Sequence, residues 1–273
     1  MKDEMTIVEQ GIVTQVTQFE KLLDALGLPS QNVIASMDER ENIMNMLPNL
    51  IINMPEEQKR DARYLSKFVA GAAIGLFDAS LNFVWDEVVV SLRKKIIFYG
   101  LDTFFDNAVS DKFREQYKDE ADLPGIKDKV MLDTLKKLEW ISDIVYRKLC
   151  HILDMRNQIG ASHPNTYDIN SYELLGWLQT CVKEVIADKP SSSAIHVRNI
   201  IENLKNNTLE IDEITLGTIE KAVSGFSTGM AGNLLRSLFG LYISDDTLPE
   251  VRKNILKLSA VVWKYCRDDI KYD

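Results

Sequence analysis

MLDTLKKLEWISDIVYRKLCHI, residues 131–152, is the stretch whose reading decides the fold. Met131, Leu135, Leu138, Ile141, Val145, Leu149 and Ile152 recur at intervals of three and four. That period lines one face of an α-helix with apolar side chains. The same spacing holds almost throughout the chain, and strand signals are nearly absent. The expected fold class is therefore all-α, a helical bundle.

Working outward toward the N-terminus, residues 102–129 are rich in charge and hold Pro124-Gly125, which marks a connector, irregular or built of short helices. Before it, one long helical segment is expected from Asp61 to Tyr99, with Gly100 at its end. Ser36 and Glu39 have the spacing of a capping box for a helix that Pro55 closes. Ile12, Val16, Phe19, Leu23 and Leu26 stripe a first helix stopped by Gly27 and Pro29. Toward the C-terminus, Asn170 and Glu173 form a second capping box, for a helix through Leu174, Trp177, Leu178 and Val185. Ser191-Ser192-Ser193 reads as a linker, and four shorter helices follow, around residues 194–205, 211–226, 230–242 and 249–267. The simplest division is an N-terminal helical segment (1–60), a central core (61–190) and a C-terminal helical extension (191–273).

The chain of 273 residues is 45% hydrophobic and 27% charged, proportions of an ordinary globular protein with a large core. Its best apolar run, residues 68–77, is too short to cross a bilayer and is bounded by Lys67 and Asp78. The start, Met1-Lys2-Asp3-Glu4, lacks the basic and apolar regions of a signal peptide. Cys150, Cys181 and Cys266 are isolated among apolar positions and read as buried reduced thiols, which places the protein in the cytoplasm. A net charge of −9 argues against a general nucleic-acid coat protein but allows an enzyme that meets RNA on a local basic surface. Arg93-Lys94-Lys95, Lys136-Lys137 and Arg147-Lys148 could supply one, though short basic runs more often form a solvated face. Phosphate-cradling glycine loops, paired-cysteine metal sites and GxSxG elbows are missing, so neither metal nor cofactor is expected. Gly225-Phe226-Ser227-Thr228-Gly229 follows no strand and reads as a turn between helices.

The chemistry concentrates just past the opening stretch, in Asp154-Met155-Arg156-Asn157-Gln158-Ile159-Gly160-Ala161-Ser162-His163-Pro164. Four residues after Ile152 the apolar stripe lands on Arg156, and seven further stands His163. A guanidinium that holds phosphate, the Asn157 carboxamide that orients it and an imidazole that moves protons suit a phosphodiester. Two blander readings stay open. Arg156 could pair with Asp154 or favour the helix C-terminus, and His163 could be a solvated loop residue. Asp78, Asn82 and Asp86, spaced by four, are either a plain solvent face or a polar row in which Asn82 or Asp86 supports Arg156. His151, beside the stripe, reads as a packing residue, and His196 has no evident catalytic partner. Tyr146, Tyr167 and Tyr172 flank the motif and could stack on bases, although packing is the commoner use.

Arg156, the polar Asn157, and His163 after six intervening residues resemble the signature of HEPN-domain ribonucleases. The resemblance covers roughly residues 65–187 and implies a helical HEPN-like core. It further implies a homodimer in which two motifs face one composite cleft. One His163 imidazole would take the proton of a ribose 2′-hydroxyl and the other would protonate the leaving 5′-oxygen. Arg156 would stabilise charge on the phosphate and Asn157 would orient it. The implied products are a 2′,3′-cyclic phosphate and a 5′-hydroxyl, made from transfer RNA or another cellular RNA without a metal. Such families often act as toxins or in anti-phage defence, under an inhibitory or activating protein partner. The alternative expectation is a catalytically silent helical module that binds nucleotides, RNA or proteins as a scaffold or regulator.

Overall fold

The computed structural model describes residues 16–31, 33–161, 167–190 and 192–271, with the side chains of 160, 161, 269 and 270 set aside. Every regular element among them is helical, and none is long and apolar enough to cross a membrane. The chain forms two compact units, one from the residues up to Leu92 with Arg147–Asp188, the other from Arg93–Tyr146 with Lys189 onward. Each unit is thus assembled from two separate stretches of chain.

The first unit contains α1 (16–25), α2 (Met37–Ile51), α3 (Glu56–Asp61), α4 (Arg63–Ile74) and most of α5 (Phe77–Tyr99). It also holds most of α9 (Asp143–Met155), a π-helical turn (Arg156–Ala161), α10 (Ser171–Cys181) and a second π-helical turn (Val182–Ile186). Phe68, Leu81, Val84, Trp85, Leu149, Leu174 and Leu178 are fully buried in it, each contributing about 1.5–3 kcal/mol by leaving water.

The helix expected over 61–99 is broken at Gly75, which has φ 100°. A side chain there would start 2.5 Å from Ile34 Cγ2, so residue 75 needs both the left-handed conformation and the absence of a Cβ. The Gly75 carbonyl accepts from Ala35 N at 2.9 Å, tying the segment before α2 to this corner. Ala62 offers no side-chain cap to α4; instead Glu87, reaching from α5 and only 4% exposed, accepts from Tyr64 N at 2.9 Å and Leu65 N at 3.1 Å. At the start of α2 the Ser36 hydroxyl accepts from Glu39 N at 3.4 Å, but Glu39 does not complete the expected box. Its carboxylate accepts from Ser171 N at the start of α10. The box of Asn170 and Glu173 is present as expected.

The second unit contains α6 (Leu101–Ala108), α7 (Asp111–Arg114), a 3₁₀ turn (Glu120–Gly125) and α8 (Asp128–Lys137). After Lys189 come α11 (Ser192–Asn206), α12 (Glu213–Val223), α13 (Thr228–Ile243), α14 (Pro249–Trp263) and α15 (Asp268–Lys271). Leu234, Leu238, Ile255, Leu258 and Val262, from α13 and α14, are fully buried at its centre. Buried Asn254 clamps the loop before α12, accepting from Ile211 N at 2.9 Å and donating to the Leu209 carbonyl at 2.7 Å.

Residues 131–152 are not one helix. α8 closes in a Schellman turn, with Glu139 N donating to Lys136 O and Trp140 N to Leu135 O, both at 2.9 Å. Glu139 occupies the left-handed position at φ 56°, costly for a side-chain-bearing residue. Its carboxylate accepts from the Ser227 hydroxyl at 2.9 Å, beside the N-terminus of α13, where negative charge is favoured. A Cβ on Gly229 would overlap that carboxylate. Gly229→Ala should therefore destabilise by about 1 kcal/mol, the worth of one such contact. Urea unfolding of the double variant with Glu139→Ala checks this, because the cost of the added methyl should vanish there.

Candidate functional site

The buried face of α9 runs through Leu149, Ile152 and Leu153, and the next position on it is Arg156, half-buried, at the start of the π-helical turn. Such widened turns reset the helical face and are frequent at functional positions. Arg156 Nε donates to Asn82 Oδ1 at 3.0 Å, and its Nη1 donates to Asn157 Oδ1 at 3.0 Å. Asn82 is itself oriented, since its Nδ2 donates to the Asp78 carbonyl one turn back at 3.0 Å and so turns its oxygen toward the guanidinium.

These contacts choose between the sequence alternatives. Arg156 does not pair with Asp154, and no carboxylate bonds it among the described residues. Two neutral amide oxygens fix its plane without cancelling its charge. A cation held so keeps its field and further N–H donors for an anion, which a salt bridge would largely quench. The row on α5 is not a plain solvent face: Asp78 is exposed, but Asn82 and Asp86 are half-buried and Asn82 supports Arg156. Asp86 lies one turn further and is not a hydrogen-bond partner of Arg156.

His163 lies outside the described residues, so its place relative to Arg156 is not part of this geometry. The exposed His151 ring stands edge-on to Trp177, 6.4 Å between centroids. His196 belongs to the second unit, on α11. Tyr146 is tied up by its neighbours: its hydroxyl donates to Asp133 at 2.6 Å and accepts from Lys129 at 2.7 Å, with Lys136 Nζ 4.8 Å from the ring centre. Tyr167 donates to Glu173, a hydrogen bond that raises the phenol above its ordinary range, and Tyr172 stays exposed. Lys136 pairs with Asp143 at 3.1 Å and Lys148 with Glu184 at 2.7 Å, as expected of a solvated face. Cys181 is fully buried, its thiol pushed up to about 12 by loss of solvent and inert at neutral pH. Cys266 is buried and Cys150 only half-buried. No cluster of three or more metal-ligating side chains exists among the described residues.

A cleft of about 510 Å³ opens beside the motif. Ile159 and Asp78 form one part of its wall, Tyr167 and Asp168 another, and Ser36 and Glu39 a third. Glu39, Asp78 and Asp168 make it a poor host for phosphate, so an anion held by Arg156 must sit outside this space. The contribution of Ser36 and Glu39 had no sequence signal beyond their cap spacing; the Gly75 corner brings them there. Compared with family models, curated proteins and solved structures, the chain has no significant match.

Proposed function

We propose that this protein is a metal-independent endoribonuclease of HEPN type, acting in the cytoplasm as a homodimer with a composite active site. The observation that carries the reading is the Arg156 guanidinium, oriented by the Asn82 and Asn157 carboxamides and bonded to no carboxylate among the described residues. In this scheme one His163 removes the 2′-hydroxyl proton, O2′ attacks the adjacent phosphorus, and the bond to O5′ breaks. The second His163 supplies the proton to O5′, leaving a 2′,3′-cyclic phosphate and a 5′-hydroxyl. Arg156 stabilises the charge that builds on the phosphate oxygens. The acidic balance of the chain favours a structured RNA, such as transfer RNA, over indiscriminate binding. A toxin or defence role under a controlling protein partner suits an enzyme of this kind.

Total RNA and transfer RNA incubated with the purified protein in EDTA test this directly, with end mapping of the fragments. The wild type should cut and leave cyclic phosphate ends, and His163→Ala should not. Cutting that needs a divalent cation, or that survives His163→Ala, overturns the mechanism. No cutting by either protein favours the silent binding module. Sedimentation at micromolar concentration should show a dimer; a strict monomer, with or without RNA, defeats the composite cleft.

A further inference from the structure

The second unit holds a cleft of its own, about 350 Å³, between α11 and α12. Asn199, Asn203 and Asn207 line one wall, spaced by four, and Thr215, Thr218 and Ala222 line the other. Beneath them the floor is apolar, formed by Ile200, Leu204 and Ile219. Apart from the ionisable His196, no side chain lining the cleft can carry a charge, in a chain whose residues are 27% charged. The carboxamides of Asn199 and Asn203 are exposed and bond no described residue, while Asn207 accepts from Leu209 N at 3.0 Å through its oxygen and keeps its N–H donors.

From these features we infer that the cleft takes an extended, uncharged peptide segment of a partner protein. The spacing of the carboxamides sets the class of ligand. Successive asparagines four apart on a helix rise about 6.0 Å. Two residues of extended chain advance about 6.6 Å and present a peptide group in the same orientation at each repeat. Each carboxamide offers one acceptor and two donors, the complement of a peptide C=O and N–H. Asn199 and Asn203 of α11 match two extended residues, and Asn207, just past the end of α11, continues the wall. Side chains on the inward face of that segment would enter the apolar floor, and the wall of Thr215 and Thr218 would meet its other polar edge. A charged side chain entering the apolar floor would lose water with no partner there to replace it, which favours neutral residues on that face. This proposal is independent of the ribonuclease reading.

The experiment is an array of randomised hexapeptides, acetylated and amidated at their ends, incubated with the full-length protein. It is repeated with Asn199→Ala/Asn203→Ala and with Ala222→Trp, which fills the cleft; circular dichroism confirms that both variants fold. Bound peptides should be uncharged with at least one large apolar residue, and both variants should bind them at least tenfold more weakly. N-methylation of the backbone of a selected peptide should remove binding. The proposal is overturned by peptides that bind the filled variant equally, by selection of charged peptides, by indifference to N-methylation, or by no binding at all. Saturable binding of adenosine or uridine that Ala222→Trp abolishes, without peptide binding, would reassign the cleft to a nucleobase.

Discussion

Arg156→Lys should abolish RNA cleavage while leaving the fold standing. Lysine keeps the charge but has neither the Nε–H that reaches Asn82 at 3.0 Å nor the Nη1–H that reaches Asn157. Its ammonium is a point donor on a flexible stem and cannot present two N–H groups in one plane to two phosphate oxygens. Loss of such an oriented charge contact lowers kcat/KM by about 10²–10³-fold. The structural cost is small, because the two bonds lost are part-exposed amide contacts worth about 1 kcal/mol each at most. In a chain of this length that moves the melting temperature by only a few degrees, on the order of 4 °C. Asn82→Ala gives a graded comparison. The guanidinium and its charge remain but lose their orienting partner, so kcat should fall about tenfold with KM nearly unchanged. Full activity in Arg156→Lys, or inactivity accompanied by loss of helical signal, would remove Arg156 from the active site.

Glu87→Ala should destabilise the first unit by about 3 kcal/mol. The Glu87 carboxylate is 4% exposed, pairs with no cation among the described residues, and accepts from two backbone N–H groups at the start of α4. Truncation leaves those donors buried without acceptors and removes the negative charge that favours a helix N-terminus. Glu87→Gln retains one oxygen in the same place and should lose less than half as much. Guanidinium unfolding followed by far-ultraviolet circular dichroism measures both. An alanine variant as stable as the wild type, or a glutamine variant as unstable as the alanine one, would show that the carboxylate is not the cap of α4.

Much of the helical architecture was legible in residue order. The four helices expected over 194–205, 211–226, 230–242 and 249–267 are found as Ser192–Asn206, Glu213–Val223, Thr228–Ile243 and Pro249–Trp263. Their ends are marked by local chemistry: Asp212 and Ser227 cap by accepting from the residue three ahead, and Pro249 opens its helix without needing an N–H donor. The breaks inside 61–99 and 131–152 were not legible, because the apolar period continues across both. A glycine such as Gly75 is tolerated within many helices, and only the approach of Ile34 and Ala35 makes it a corner. A glutamate at φ 56° has no sequence signature at all; the contact of Glu139 with Ser227, 88 residues away in the chain, holds it there.

The candidate site divides in the same way. Residue types and spacing by themselves put Arg156 at the end of a buried stripe and Asn82 on a polar row, since helical periodicity is a property of local order alone. Whether that arginine meets a carboxylate or an amide is decided by which helix packs against which, a matter of contacts between residues 74 positions apart. Tertiary structure alone therefore made Arg156 an oriented cation, made Glu87 the cap of a helix it does not belong to, and set three asparagines of α11 and its end along one wall of a neutral cleft. Sequence determines the helices because their hydrogen bonds close within a few residues. The site needed the fold because the contact of Arg156 with Asn82 closes across a distance in sequence that periodicity does not encode.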